Sequence, residues 1–401
     1  MTRQIQKVFP NILLAIGGVL VAFILLEMGA RLLPSPFDGP ENTADVCSDQ
    51  LGWRGKPYFK TTVATGDYVH DLALNSAGMH DEEHQRTKPA NTFRILMLGD
   101  SFIRAHQVKE AETSHQVLEN RLNGGGALPH FEVINAGVDG WGTGQELLYY
   151  RSEGRFYQPD LVILMFFMDN DIKDNLPGRG ITLDGRNCYA PYFVLCENQL
   201  DTSPWLYAPG LEPSTGQCSF GKKTLLNTLG QLHQSSRLYA QLEPLLPASR
   251  LHVSGLDFYT GENELFDYAL QLTLALVKQL REEVKNDGAE SLVVLISPSD
   301  LIDFSQMSSD EREAVYQKIP AMRRAEQIEP PNQTLAEALS HEGIKVLDLL
   351  PLFSRHIDET GEVLHFPDDK HWNVAGNRLA GESIYRWLQE NYGLSASSSM
   401  K

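Results

Sequence analysis

The stretch Phe93-Arg94-Ile95-Leu96-Met97-Leu98-Gly99-Asp100-Ser101-Phe102 decides how this chain reads. A short apolar run ends in Gly-Asp, and a serine hydroxyl follows on the sharp turn. Near-continuous apolar runs of about 4–8 residues mark strands covered on both faces of a parallel sheet. Four more such runs follow: Phe131–Ile134, Leu161–Phe167, Ser291–Ile296 and Ile344–Leu350. Helical stretches lie between them. Glu112–Leu122 stops at Gly124-Gly125-Gly126. Phe266–Val284 repeats apolar residues at roughly 3.6 spacing, and Ser308 with Glu311 forms a capping box. The alternation predicts an α/β fold built on a five-stranded parallel sheet.

Ligands of open α/β sheets bind beyond the carboxyl ends of the strands. Ser101 follows the first run, and Asn135-Ala136-Gly137-Val138-Asp139-Gly140-Trp141-Gly142 follows the second. Met168-Asp169-Asn170-Asp171 follows the third, and beyond the last comes Phe366-Pro367-Asp368-Asp369-Lys370-His371-Trp372-Asn373. Serine is a poor nucleophile at its own pKa, so it needs a histidine base, and the base needs a carboxylate to fix its tautomer. Ser101, His371 and Asp368 or Asp369 supply that set, with nearby donors for a developing oxyanion. Other residues read as structural. Asp100 is expected to hydrogen-bond its own turn, and Gly137, Gly140, Gly142 and Gly144 to serve turns or close approaches. Asp171 reads as structural, Asn373 as the cap of a last helix packing Leu379, Ile384, Trp387 and Leu388, and His106, His115 and His365 as surface or loop histidines.

The order Gly99-Asp100-Ser101, Gly140, Asn170-Asp171 and Asp-x-x-His ending at His371 resembles the SGNH hydrolases, or GDSL esterases and lipases. The resemblance covers residues 91–391, and Leu51-Gly52-Trp53-Arg54 with Asn75-Ser76-Ala77-Gly78 is similar to membrane-anchored bacterial members. It implies a three-layer, flavodoxin-like α/β/α sandwich and a serine esterase using an acyl-enzyme, with no metal or organic cofactor. By the same resemblance Ser101 acylates and His371 is the base, while the Ser101 and Gly140 N–H groups and the Asn170 amide hold the oxyanion. Met168 stands where the family usually has glycine, which would narrow the pocket. The carboxylate is Asp368 in the wider family pattern and Asp369 in an Asp-x-His-Trp pattern; the sequence leans to Asp369. A short acyl group on a carbohydrate is the expected substrate. An O-acetyltransferase of a surface polysaccharide and a catalytically silent envelope protein are the alternatives.

The chain has 401 residues and a formal net charge of -18, and carries no Lys/Arg cluster, which argues against nucleic acid as a partner. Val8 to Leu26 is almost wholly apolar and follows Arg3 and Lys7. That length suits a membrane-spanning signal anchor with the remainder outside the cytoplasm, a cleaved signal peptide and a buried core helix being the alternatives. The expected organisation is an anchor at 1–33, a tether and extension at 34–90, the hydrolase domain at 91–391 with an aromatic insertion at 172–255, and a tail at 392–401. Cys47, Cys188, Cys196 and Cys218 suit an oxidising compartment, and their spacing does not suggest zinc. Local bridges among the last three are the first expectation.

Overall fold

The computed structural model describes residues 17–19, 21–30, 43–126, 129–183, 186–196, 199–205, 264–299, 301–302, 307–318 and 331–394. Two antiparallel hairpins come first: β1 (Asp45–Ser48) with β2 (Gly52–Gly55), then β3 (Lys60–Ala64) with β4 (Val69–Ala73). The α/β alternation follows as β5 (Thr92–Gly99), α1 (Ser101–Arg104), α2 (Ser114–Asn123), β6 (His130–Gly137), α3 (Thr143–Ser152), β7 (Leu161–Phe167) and α4 (Asp171–Asp174). A hairpin of β8 (Gly180–Leu183) and β9 (Arg186–Tyr189) opens the insertion. The chain returns with α5 (Glu264–Asn286), β10 (Glu290–Ile296), α6 (Ser309–Lys318), α7 (Pro331–His341), β11 (Val346–Asp348), α8 (Leu350–Thr360) and α9 (Val374–Tyr392).

The five predicted strands form one parallel sheet in the order β11-β10-β7-β5-β6. Successive side chains leave a strand on opposite faces, and the core divides accordingly. Leu96, Leu98, Val162, Leu164, Phe166, Val293 and Leu295 pack beneath α3 and α5. Ile95, Met97, Ile163, Met165, Leu292, Val294 and Ile296 pack beneath α2, α8 and α9. This is the three-layer α/β/α arrangement. The fifth strand is shorter than its apolar run, because Leu350 starts α8 with a proline in its first turn. Asn373 caps α9 by accepting from the Gly376 N–H at 3.0 Å, and Ser308 and Glu311 make the capping box.

Residues 43–90, within the expected tether and extension, pack onto the α/β core. Leu51 and Trp53 are buried in the main core, Arg104 reaches back to Asp45 at 2.8 Å, and Cys47 is disulfide-bonded to Cys188. That long-range bridge takes Cys188 out of the expected local set. The β8–β9 hairpin lies over the N-terminal strands, and bringing Cys188 against Cys47 takes it away from its sequence neighbours. Cys196 is also disulfide-bonded, and Cys218 lies outside the described residues. No helix among the described residues is long and apolar enough to cross a membrane. Most of the apolar run Val8–Leu26 lies outside them, as do the tail and most of the insertion beyond residue 205.

Candidate active site

At the carboxyl end of β5 the chain turns sharply into α1, with Asp100 as its cap: Oδ1 accepts from the Phe102 N–H at 2.9 Å. This turn holds Ser101 at the first position of α1. It also needs a close neighbour without a side chain, since a Cβ on Gly137 would lie 2.3 Å from the Arg104 backbone nitrogen. Asn135 ties the two strand ends together by donating to the Ile103 carbonyl at 2.8 Å.

Ser101 Oγ lies 2.7 Å from His371 Nε2, and His371 Nδ1 lies 2.6 Å from Asp369 Oδ1. The three side chains form one hydrogen-bonded line. Asp368 is outside it, exposed and joined to the hairpin through its backbone N–H. A turn from Phe366 to His371 sets this choice: its ends meet through the Phe366 N–H and His371 carbonyl, and Lys370 adopts φ +69°. Burial disfavours the His371 cation, but the Asp369 hydrogen bond and charge, with Asp100 and Asp139 behind, outweigh it and raise the imidazole above its ordinary value. Burial likewise opposes the Asp369 charge, and His371 reverses that, holding the carboxyl below its usual range. Phe102 packs against the imidazole with ring centroids 4.8 Å apart.

Gly140 lies in the loop after β6 at φ +69°, a conformation that favours glycine. The N–H groups of Ser101 and Gly140 have no acceptor among the described residues. The loop is held by two tryptophans: Trp53 Nε1 donates to the Asp139 carbonyl at 2.8 Å, and Trp141 Nε1 donates to the Trp53 carbonyl at 3.0 Å. Asn170 stands at the cap position of α4, and its amide donates to Asp174 Oδ2 at 3.2 Å. Met168 is fully buried in the core, so its bulk goes into packing there.

Several neighbours carry no signal in the sequence. His106 Nδ1 lies 3.2 Å from Asp139 Oδ2, and its ring lies 6.4 Å from that of His371. The Arg179 guanidinium packs beside Gly140 and over Trp53, 5.8 Å from the ring centroid. Tyr68 donates to the second Asp369 oxygen at 3.0 Å. His115 and His365, read as surface or loop residues, are buried; His115 faces Asp81 at 3.1 Å. The insertion aromatics Tyr189, Tyr192, Phe193 and Trp205 are buried as well.

Beneath the serine lie three fully buried carboxyls, Asp100, Glu146 and Asp171. Asp171 Oδ2 accepts from the Phe167 N–H at 2.7 Å, a structural role. Neither Glu146 oxygen has a hydrogen-bond partner among the described residues. Burial, then mutual repulsion, raises Glu146 and Asp171 well above the usual carboxylate range. Burial also pushes Asp100 up to about 6. Among the described residues no group of histidines, cysteines and carboxylates is arranged to hold a metal.

With this geometry in hand, the chain can be compared with solved proteins. It is similar to GDSL-type esterases. An acetyl xylan esterase matches at 11% identity and a TM-score of 0.38, over 74% of this chain and all of that one. A lipase/acylhydrolase from Enterococcus faecalis matches at 13% and 0.35, over 74% of this chain and 96% of its own. A member of the lipolytic G-D-S-L family from Veillonella parvula matches at 13% and 0.33, over 75% and 98%. No family model and no curated protein matches the chain. At such identities and TM-scores the likeness carries no weight for activity, which has to come from the side chains.

Proposed function

We propose that this chain is a serine esterase of the SGNH type, cleaving a short acyl group from a polar alcohol, most simply an O-acetyl group from a carbohydrate. The observation that carries the reading is the line Ser101–His371–Asp369, at 2.7 and 2.6 Å. Ser101 Oγ attacks the ester carbonyl as its proton passes to His371 Nε2. The tetrahedral oxyanion is met by the open N–H groups of Ser101 and Gly140. Asn170 adds a third donor through the amide hydrogen that Asp174 does not take. Collapse expels the alcohol, which takes the proton from His371, and leaves an acyl-serine. Water then attacks with His371 again as base, and the acid and free serine are released.

The rim supports a short acyl group. Among the partly exposed groups near the site, His106, Asp139 and Arg179 are polar or charged. A long alkyl chain gains about 0.8 kcal/mol per methylene only where it is buried in apolar surface. Export is part of the same proposal. The Cys47–Cys188 bridge suits an oxidising compartment, and Val21, Phe23, Ile24, Leu25 and Leu26 expose apolar side chains along a helical segment.

The test is kcat/KM across nitrophenyl esters from acetyl to dodecanoyl, with fluorophosphonate labelling of Ser101. Activity highest on acetyl and labelling lost in Ser101→Ala support the reading. Rates that climb to octanoyl and beyond make the enzyme a lipase, absence of labelling makes it a silent binding protein, and acyl transfer to added sugar in preference to water makes it a transferase.

A further inference from the structure

We infer that the β3–β4 hairpin, far outside the α/β alternation, completes the reaction centre, with Tyr68 as a positioning residue for the triad carboxylate. The inference rests on the esterase reading. Tyr68 stands where the turn enters β4, its ring against Phe366 with centroids 4.9 Å apart. Its hydroxyl donates to Asp369 Oδ2 at 3.0 Å, while Oδ1 of the same carboxylate faces His371 Nδ1. The neighbouring Asp67 grips the backbone of the loop: its Oδ2 accepts from the N–H of Asp368 at 3.0 Å and of Asp369 at 2.8 Å. Tyr68 and Asp67 thus fix both the carboxylate and the loop that carries it, so the carboxylate is aimed without the imidazole's help.

Burial, then Asp369, keeps the Tyr68 phenol protonated, so it donates at every working pH. A neutral donor draws charge from Asp369 and weakens its hold on the His371 cation. Removing the hydroxyl therefore raises the imidazole pKa. Among the described residues, the other titratable groups around His371 include His365, Asp368 and Lys370 nearby in sequence, Asp67 on the hairpin, Asp100 at the elbow, and His106 and Asp139 on the facing loops; the substitution leaves all of them in place.

The experiment is Tyr68→Phe in the full-length chain, which keeps the ring on Phe366. Two quantities are read: kcat and KM on an acetyl ester, and the His371 pKa by NMR titration of histidine-labelled protein. The expected result is a kcat about tenfold lower at unchanged KM, with the imidazole pKa raised by several tenths. An unchanged imidazole pKa overturns the inference, whatever happens to the rate, because a purely structural tyrosine would leave it unmoved. If Tyr68→Phe fails to fold, Asp67→Ala and Asp67→Asn decide: asparagine still accepts both N–H groups and should restore what alanine loses, and equal activity in the two overturns the inference. The titration needs no substrate. A wild-type protein inert to every ester would sink the esterase reading while the clamp is still judged on the imidazole.

Discussion

Asp369 holds His371 through a 2.6 Å contact between Oδ1 and Nδ1, whereas its neighbour Asp368 is exposed and, among the described residues, bound through its backbone N–H alone. The two aspartates should therefore separate under mutation. Asp369→Asn offers the imidazole a donor where it needs an acceptor and favours the wrong tautomer, so kcat should fall by about 10²–10⁴. Asp368→Asn should remain within a few-fold of wild type. Steady-state kinetics on an acetyl ester check both, and equal small losses would mean that something else orients His371.

Ser101→Ala removes one oxygen from a turn whose capping bond runs from the Phe102 N–H to Asp100, so the fold should survive. Loss of a member of such a unit costs on the order of 10⁴-fold or more in rate. The variant should show wild-type circular dichroism and thermal midpoint with no measurable turnover. A tenth of the wild-type rate remaining would remove Ser101 from its role.

His371 must be neutral to accept the serine proton. The Asp369 hydrogen bond, aided by Asp100 and Asp139, overcomes the effect of burial and raises its pKa above the ordinary 6.5. Activity should then fall as pH drops through that raised value, with the acid limb of kcat/KM lying above 6.5. A limb at or below the ordinary histidine value would show that the carboxylates do not act on the imidazole as the distances imply.

The strands were legible because both sheet faces are covered, which leaves uninterrupted apolar runs. Read and observed boundaries of β5 and β7 differ by a residue or less, whereas at β11 the run continues into α8 and periodicity cannot mark where strand becomes helix. That Ser101 and His371 would meet, as they do at 2.7 Å, was legible because each sits in a short motif at a strand end or loop. Tyr68 was not, since 301 residues separate it from Asp369 and its local pattern is only that of an irregular strand. The choice between Asp368 and Asp369 hangs on the turn around Lys370, a backbone property to which side-chain type gives little clue. The Cys47–Cys188 pairing was equally hidden, because it depends on where the β8–β9 hairpin folds back.

That disulfide spans 141 residues. In the chain-entropy account a loop of that size contributes up to about 5 kcal/mol by constraining the unfolded chain. Cys47→Ser/Cys188→Ser should therefore unfold at clearly lower denaturant than wild type, and dithiothreitol should lower the wild-type midpoint. Non-reducing peptide mapping should recover the two cysteines as one linked pair. A double variant with an unchanged midpoint would mean that burial of Leu51 and Trp53 holds the N-terminal hairpin unaided.

Glu146 is buried beside Asp100 and Asp171, with neither oxygen hydrogen-bonded among the described residues. Burial and the Asp100 charge raise its pKa well above 4.5, so the folded protein keeps a proton that the unfolded chain releases. Where the folded state binds more protons than the unfolded one, stability falls as pH rises. The penalty begins above the ordinary glutamate value and grows until the folded-state group itself ionises. Glu146→Gln fills the same space without a titrating proton, and its amide can donate to the unpartnered oxygens of Asp100 or Asp171. The variant should gain thermal stability over wild type as pH rises, with similar midpoints near pH 4.5 and an advantage of a few degrees near pH 8, on the scale of ~2–4 °C per kcal/mol. Paired melting curves at the two pH values measure this directly. A difference independent of pH would mean that Glu146 titrates normally, its oxygens supplied by ordered water.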